Sequence, residues 1–451
     1  LDPERRRNAD QAWFEYMPVD YLDKPDFELD PNAPFPDNLR IYRDLQFGKH
    51  VHIAMTDARR YRTDHLVPED AFPAAVMLTK AQIEAVNGGK IPASATGYMD
   101  IETYEGGKYV QLMNDAAKKL KWFALADIKG LMSAEWINLR IADLNKDAKD
   151  TDKIAPIEQA AIDKMDKGYA YHHLLKTNRY GVIGSRYLVV EEPFRLLSAH
   201  RFKESGGKSE LGLGDTQRKW LLDTFSGSEA TWKVWGNEYC LTSRVADLRE
   251  FDLPAAFKAR FLLSAEDWDG MPMRRDEILG ALAKIGNVVA VTGDIHAFFA
   301  GTPWVSGKPD ERIVEFITGG ISSGTYKTLL MRQAGADPTL VEAGAMALAA
   351  IAEEILMGQY AKDKTKKPNP WLSYAKIDDH GYMVLQADSK ELLTTFVRTP
   401  GSNASKNLGA GDPLDNAFST QRFKVIAGSP DLHKEAAGKW LKWHHATAEW
   451  K

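Results

Sequence analysis

One cysteine in 451 residues, Cys240, excludes an internal disulfide and leaves the redox compartment open. Set in Asn237-Glu238-Tyr239-Cys240-Leu241, it reads as a buried, inert thiol. No apolar run reaches the length that crosses a bilayer, and the chain has no internal repeat and no low-complexity linker. Neither sign of charge dominates. With 58 Lys plus Arg against 63 Asp plus Glu, the net charge of -5 offers no general attraction for nucleic acid. The glycine-rich loop Gly319-Gly320-Ile321-Ser322-Ser323-Gly324 lacks the lysine of a nucleotide-binding P-loop, although a loop of this kind can still cradle a phosphate. An initiator Met is also missing. The chain opens at Leu1, which implies a processed or absent preceding segment. A chain of this length can bury a large core as one big domain or two to three ordinary ones.

The most informative stretch is Asn287-Val288-Val289-Ala290-Val291-Thr292-Gly293-Asp294-Ile295-His296. Its apolar run predicts a strand buried on both faces, ending at Gly293. Asp294 and His296 then fall just beyond the carboxyl end, where open α/β sheets hold ligands. In an extended segment, a carboxylate and an imidazole two residues apart point the same way and can share one metal ion or one phosphate. A surface loop with an Asp cap and an unrelated His gives the same letters.

Taken in order, Asp2-Pro3 opens a helix that places Ala9, Trp13, Tyr16 and Met17 on one face and ends at Pro18. Leu39 to Met55 alternates as a hairpin around Gly48-Lys49 and delivers Asp57, Arg59 and Arg62. From Leu66 to Gly207 the signals weaken. Lys118 to Asp152 reads as a charged helical segment anchored by Trp122, Leu131 and Trp136, and Ser185 to Val190 reads as a strand. His172-His173, beside Tyr169 and Tyr171, reads as ligands or as a structural imidazole pair; the structural reading is preferred. Leu213 to Phe225 is a helix, Thr231 to Trp235 a strand ending at Gly236-Asn237, and Arg274 to Lys284 a helix leading into the next strand. Arg312 to Thr318 is a further strand, and Asp337-Pro338 caps an Ala-rich helix to about Met357. Gly381 to Ala387 and Glu391 to Val397 form a second hairpin. The tail with Trp440, Trp443, His444, His445 and Trp450 reads as a packed amphipathic helix or a partner surface, with packing preferred. The alternation predicts an α/β fold, a layered β-sheet sandwich flanked by helices. The expected organisation is residues 1–65 as a helix and hairpin opening the core, 66–207 as a mixed helical elaboration, 208–400 as the rest of the core, and 401–451 as a tail packed on it.

Four islands stand in a meaningful order: Asp57-Ala58-Arg59-Arg60-Tyr61-Arg62, Gln217 to Asn237, Glu266-Asp267-Trp268-Asp269-Gly270-Met271-Pro272, and Val291-Thr292-Gly293-Asp294-Ile295-His296. With Ala12 to Pro18, Ile321 to Gly324 and His380-Gly381-Tyr382, they resemble the carboxyl-terminal part of the PhoD-like alkaline phosphatase/phosphodiesterase family, of the calcineurin-like metallophosphoesterase fold. The first half of that family carries an early strand aspartate, a Gly-Asp metal motif and an Asp-His-Glu stretch ending in Asn. None occurs here. The resemblance therefore implies that most metal ligands, and the first strands of the sheet, lie in an amino-terminal half outside this chain, as a separate or missing partner segment.

What the resemblance implies is hydrolysis of phosphoric monoesters or diesters. Asp294 and His296 would bind a calcium centre or a mixed one containing Fe3+ or another transition metal, since carboxylate oxygen suits Ca2+ and imidazole suits the transition metal. Arg59 would clamp the phosphate through its planar fork, with Arg62 as a second candidate. Asp57 would orient Arg59 or end the strand. Asn237 would donate to a substrate oxygen or form the turn after Gly236. Trp268 and Asp269 would line the pocket rim or staple a turn, and His380 would belong to the core or stand behind the metal. The resemblance also implies an extracytoplasmic location, periplasmic or secreted. Two alternatives stand beside a phosphatase: a phospholipase D-like phosphodiesterase, and a catalytically silent binding or scaffold subunit.

Overall fold

The Val288–Thr292 strand is central to the fold, as its unbroken apolar run requires. In the computed structural model, which describes residues 3–17, 40–119, 128–363, 366–404, 406 and 417–451, it sits fourth in a sheet of seven. The order across that sheet is Arg43–Phe47, Val51–Met55, Trp232–Asn237, Val288–Thr292, Val314–Ile317, Phe298–Gly301 and Leu372–Lys376. The second to fifth of these run parallel, with Met55 opposite Gly236, Asn237 opposite Thr292, and Thr292 opposite Ile317. Their carboxyl ends therefore share one edge. Gly236 permits the close approach, since a Cβ there would lie 2.9 Å from Cγ of Met55.

Each face of this sheet buries one apolar layer. On one side Leu221 and Phe225 of the Asp215–Ser226 helix and Leu279 and Leu282 of the Pro272–Ile285 helix pack on Ala54, Trp235 and Ala290. On the other, Trp232, Val289, Phe298 and Phe316 meet Leu392, Phe396, Phe423 and Val425 of a six-stranded antiparallel sheet. That second sheet is a meander from Asp379–Ala387 to Glu449–Trp450. The fold is thus helix on sheet on sheet, as the alternation predicted.

Several local expectations are corrected. The tail forms strands, Lys439–His444 and Glu449–Trp450, rather than a helix. Its alternation turns Trp443 inward, 5.1 Å from the Trp450 ring, so packing rather than a partner surface accounts for both. The Ala-rich segment is three short helices, Pro338–Glu342, Ala345–Ala350 and Ala352–Leu356, because Gly344 leaves the helix at a φ of 76° and Ile351 at a φ of -110°. Asp337 does cap the first, accepting from the Thr339 and Leu340 amides. Tyr16 and Met17 are exposed while Trp13 is half-buried, so the expected apolar face of the Pro3–Tyr16 helix is only partly covered; an ion pair from Asp10 to Arg60 at 2.9 Å also ties the helix down. The strand expected from Ser185 is only Val189–Val190.

Within the 66–207 stretch, residues 74–162 have a core of their own, while Val67, Phe194 and Leu197 pack with Val245 and Leu262. Four strands, Val76–Leu78, Lys167–Ala170, Thr96–Asp100 and Leu131–Ser133, form a sheet on which the Lys108–Lys119 and Ala134–Asn145 helices pack through Met99, Met113, Met132, Trp136 and Ile137. Trp136 is an anchor as expected, Leu131 is exposed, and Trp122 lies outside the described residues, as do Asp2, Pro18 and Leu39. No helix among the described residues is long and apolar enough to cross a membrane.

Candidate functional site

Four parallel strands end on one edge, and the turns that follow them carry the predicted site residues. After Met55 come Asp57, Arg59 and Arg62; after Asn237 come Glu238 and Tyr239; after Thr292 come Asp294 and His296; after Ile317 comes the glycine-rich loop. This is where an α/β sheet exposes its strand ends to a ligand.

Arg59 Nη2 lies 3.5 Å from Asp294 Oδ1, with both side chains more than half exposed. The guanidiniums of Arg59 and Arg62 also sit over the Tyr239 ring, 5.6 and 5.4 Å from its centre. Arg62 is further tied to the Glu266 carbonyl at 2.7 Å and to His65 Nε2 at 3.1 Å, which leaves Arg59 as the freer of the two. Glu238 accepts from the Ala58 amide at 2.6 Å, and burial raises its pKa.

Asp294 and His296 are not in an extended segment. Both adopt left-handed backbone, φ of 63° and 60°, because the chain reverses to enter Phe298–Gly301 antiparallel to the strand it crosses. Their partners lie on different loops: Asp294 meets Arg59, whereas His296 Nδ1 is 2.5 Å from the Gly324 carbonyl. That contact is the usual way to orient an imidazole whose other nitrogen binds a metal. A carboxylate oxygen and an imidazole nitrogen suit the metals that the resemblance implies. They form an incomplete set, however. Among the described residues neither belongs to a group of three or more His, Cys, Asp or Glu side chains with ligand atoms within 4.8 Å of one another.

The remaining predicted residues lie beneath the edge. Asp57 is buried, its Oδ1 accepting the Arg60 amide at 3.1 Å, and burial raises its pKa; it ends the strand rather than touching the Arg59 guanidinium. Asn237 was expected to donate to a substrate oxygen or to form the turn after Gly236, and its contacts are those of the turn: its amide donates to the Tyr239 carbonyl and to Thr292 Oγ1, while its oxygen accepts from Trp268 Nε1 at 3.2 Å. Trp268 and Asp269 are core residues, not a rim. Trp268 packs edge-on against Trp235, and Asp269 accepts from the Ser243 hydroxyl and the Arg244 amide. His380 is buried, with Nδ1 3.1 Å from the Gly320 carbonyl, where it braces the glycine-rich loop. Cys240 is buried, and desolvation pushes its thiol pKa up, as an inert cysteine requires.

Two features escaped the sequence reading. Glu315 is fully buried on a central strand, yet its carboxylate accepts from the Leu241 and Thr242 amides and the Thr242 and Thr292 hydroxyls, locking the turns behind the edge. A glutamate inside Val314-Glu315-Phe316-Ile317 was the available signal. The second is a cavity of about 350 Å³ opening beside Arg59, Tyr239 and Asp294. Its depth is apolar, lined by residues such as Leu248, Phe257, Leu330 and Leu340, drawn from segments far apart in the sequence.

A family model described as PhoD-like phosphatase matches residues 3–89 and 191–396. Alkaline phosphatase D of Bacillus subtilis (strain 168) is 28% identical over 126 residues, covering 27% of this chain and 20% of that protein. A solved structure described as "Structure of PhoD" is matched over 96% of this chain and 49% of its own, with a TM-score of 0.42 and 14% identity. The chain spans less than half the length of either relative.

Proposed function

Since the chain belongs to the PhoD-like phosphatase family, we propose that it supplies one side of a site that hydrolyses phosphoric esters. The observation that carries this reading is the Arg59–Asp294 pair, with the His296 turn, at the carboxyl edge of the parallel strands. Arg59 offers a planar fork matched to phosphate oxygens. A phosphate entering the edge exchanges the single exposed contact with Asp294 for charge-assisted bonds to Arg59, and Tyr239 keeps the guanidinium in place. Asp294 and His296 would hold a metal, calcium or a mixed centre with iron(III); such an ion activates water and neutralises charge on the phosphoryl group. Two donors do not complete a coordination sphere, so the rest of the set is proposed to come from sequence beyond these 451 residues. An extracytoplasmic location, whether periplasmic or secreted, belongs to the same proposal.

The cavity favours a second reading within the class, a phosphodiester bearing an apolar group, as a phospholipase D-like enzyme would take. A matched panel of mono- and diesters, with small and long apolar substituents, tests both, using the chain alone and supplemented with the remainder of a family member. We expect turnover only in the supplemented sample. Full turnover by the lone chain overturns the shared-site reading, and absence of bound metal in the assembled sample favours a silent scaffold subunit.

A further inference from the structure

The family match skips residues 90–190, yet that stretch supplies part of the wall of the cavity beside Arg59 and Asp294. Ile183, Tyr187 and Leu188 line it together with Leu248, Phe257 and Leu330. The turn that carries the first three is closely held. Within it the Gly184 amide donates to the Tyr187 carbonyl at 3.0 Å, the Tyr187 amide to the Val182 carbonyl at 3.1 Å, and the Ser185 hydroxyl to the Gly181 carbonyl at 2.8 Å. From outside, the Ala265 amide donates to the Arg186 carbonyl at 2.7 Å. Arg186 Nη1 and the Tyr187 hydroxyl both donate to Glu266, at 3.2 and 3.1 Å. We propose that this turn fixes the size of the apolar group the cavity accepts, one short alkyl or aryl substituent of a phosphoric ester bound at the edge, with Tyr187 and Leu188 setting the limit. The proposal rests on the phosphoric-ester reading of the Arg59–Asp294 edge.

Tyr187 stands where the polar edge gives way to the apolar interior. Its hydroxyl is engaged by Glu266, itself a lining residue, while its body packs against the core cluster that holds Ile183, Leu248 and Phe257. Burial, with the Glu266 carboxylate beside it, pushes the phenol up to about 12, so it remains a neutral donor. Leu188 follows at a φ of 49°. Left-handed backbone is costly for a leucine and persists only where the surroundings enforce it, a pattern found at ligand clamps. The hydrogen bonds of the turn and the Glu266 anchor one residue earlier enforce it here. Volume sets the scale. The cavity's 350 Å³ or so is near the lower bound of about 300–1,000 Å³ for ligand pockets, the space of one short group. An apolar wall rewards each methylene that enters and gives nothing to one that stays outside. Affinity should therefore climb with chain length and stop where the wall stops.

The test is binding of monoalkyl phosphates, methyl to octyl, and of the matched n-alkanols to the full chain, by isothermal titration calorimetry. In the native chain affinity for the phosphates should rise about fourfold per methylene and then level off. Leu188→Gly suits the left-handed backbone and removes part of the wall. It should move the levelling point to longer chains while leaving methyl phosphate binding unchanged. A levelling point unmoved by Leu188→Gly, or affinity independent of chain length, overturns the proposal and leaves the phosphoric-ester reading standing. The converse result is a chain-length limit that Leu188→Gly shifts in the alkanols too, with no gain from the phosphate and no effect of Arg59→Ala. That upholds the size limit and overturns the phosphoric-ester reading. If circular dichroism shows Leu188→Gly unfolded, the native chain decides: hexyl phosphate should slow amide exchange across residues 181–188 more than methyl phosphate does, and equal exchange overturns the proposal.

Discussion

Arg59 and Asp294 meet at 3.5 Å although their strands are not neighbours: the Trp232–Asn237 strand runs between them. The contact bridges three parallel strand ends and rests over Tyr239, a residue of the intervening turn.

Replacing Arg59 by Ala should lower kcat/KM of the assembled enzyme by about 100-fold or more, the scale of losing one group that stabilises developing charge. Arg59→Lys should recover only part, since a point charge lacks the fork. Because an exposed pair contributes about 0–1 kcal/mol, Tm should barely move in either variant. Steady-state kinetics and thermal unfolding separate the two effects; a large stability loss with intact turnover would contradict the assignment.

Trp268→Ala should cost about 3–5 kcal/mol, as for other large buried aromatics. It also leaves the Asn237 side-chain oxygen without its donor. Denaturant unfolding should report the loss. KM of the folded fraction should stay unchanged, because Trp268 is core.

Glu315→Gln substitutes two N–H donors for an oxygen that accepts from the Thr242 amide and hydroxyl or from Leu241 and Thr292. Opposed donors in a dry interior should destabilise by about 1–3 kcal/mol. The backbone around Tyr239 to Thr242 should show faster amide exchange.

Glu210 is held up to about 7, chiefly by burial, against an ordinary 4.5. Its folded state favours the protonated form, so its contribution is complete below about pH 4.5 and is lost as the pH rises through 7. Glu210→Gln keeps the acceptor for the Arg274 amide. It should flatten that slope, which for one proton approaches about 1.4 kcal/mol per pH unit. His173, held down to about 4, acts in the opposite sense as the pH falls from 6.5, so the informative quantity is the difference between native and variant unfolding curves across pH 4.5 to 7.

Local pattern was enough to mark the strand before Gly293, the two flanking helices, the 381–397 hairpin and the turns carrying Arg59, Asp294 and His296. These follow from apolar periodicity and turn residues, which act over a few positions. Pattern misled where a neighbour decided the outcome. Substrate contact was one reading of Asn237 and a pocket rim one reading of Trp268 and Asp269, but all three are buried: Trp268 donates to Asn237, and Asp269 accepts from Ser243 and Arg244. Hydrogen-bond partners tens of residues away leave no trace in spacing.

Residue order by itself therefore determined the layered α/β class and which turns carry Arg59, Asp294 and His296, because strand period and glycine placement are written locally. Tertiary packing alone decided that Arg59 faces Asp294, that an apolar cavity opens beside them, and that Glu135 approaches His172 and His173. Each of these joins segments whose separation is bridged only once the sheets close and bury their shared faces.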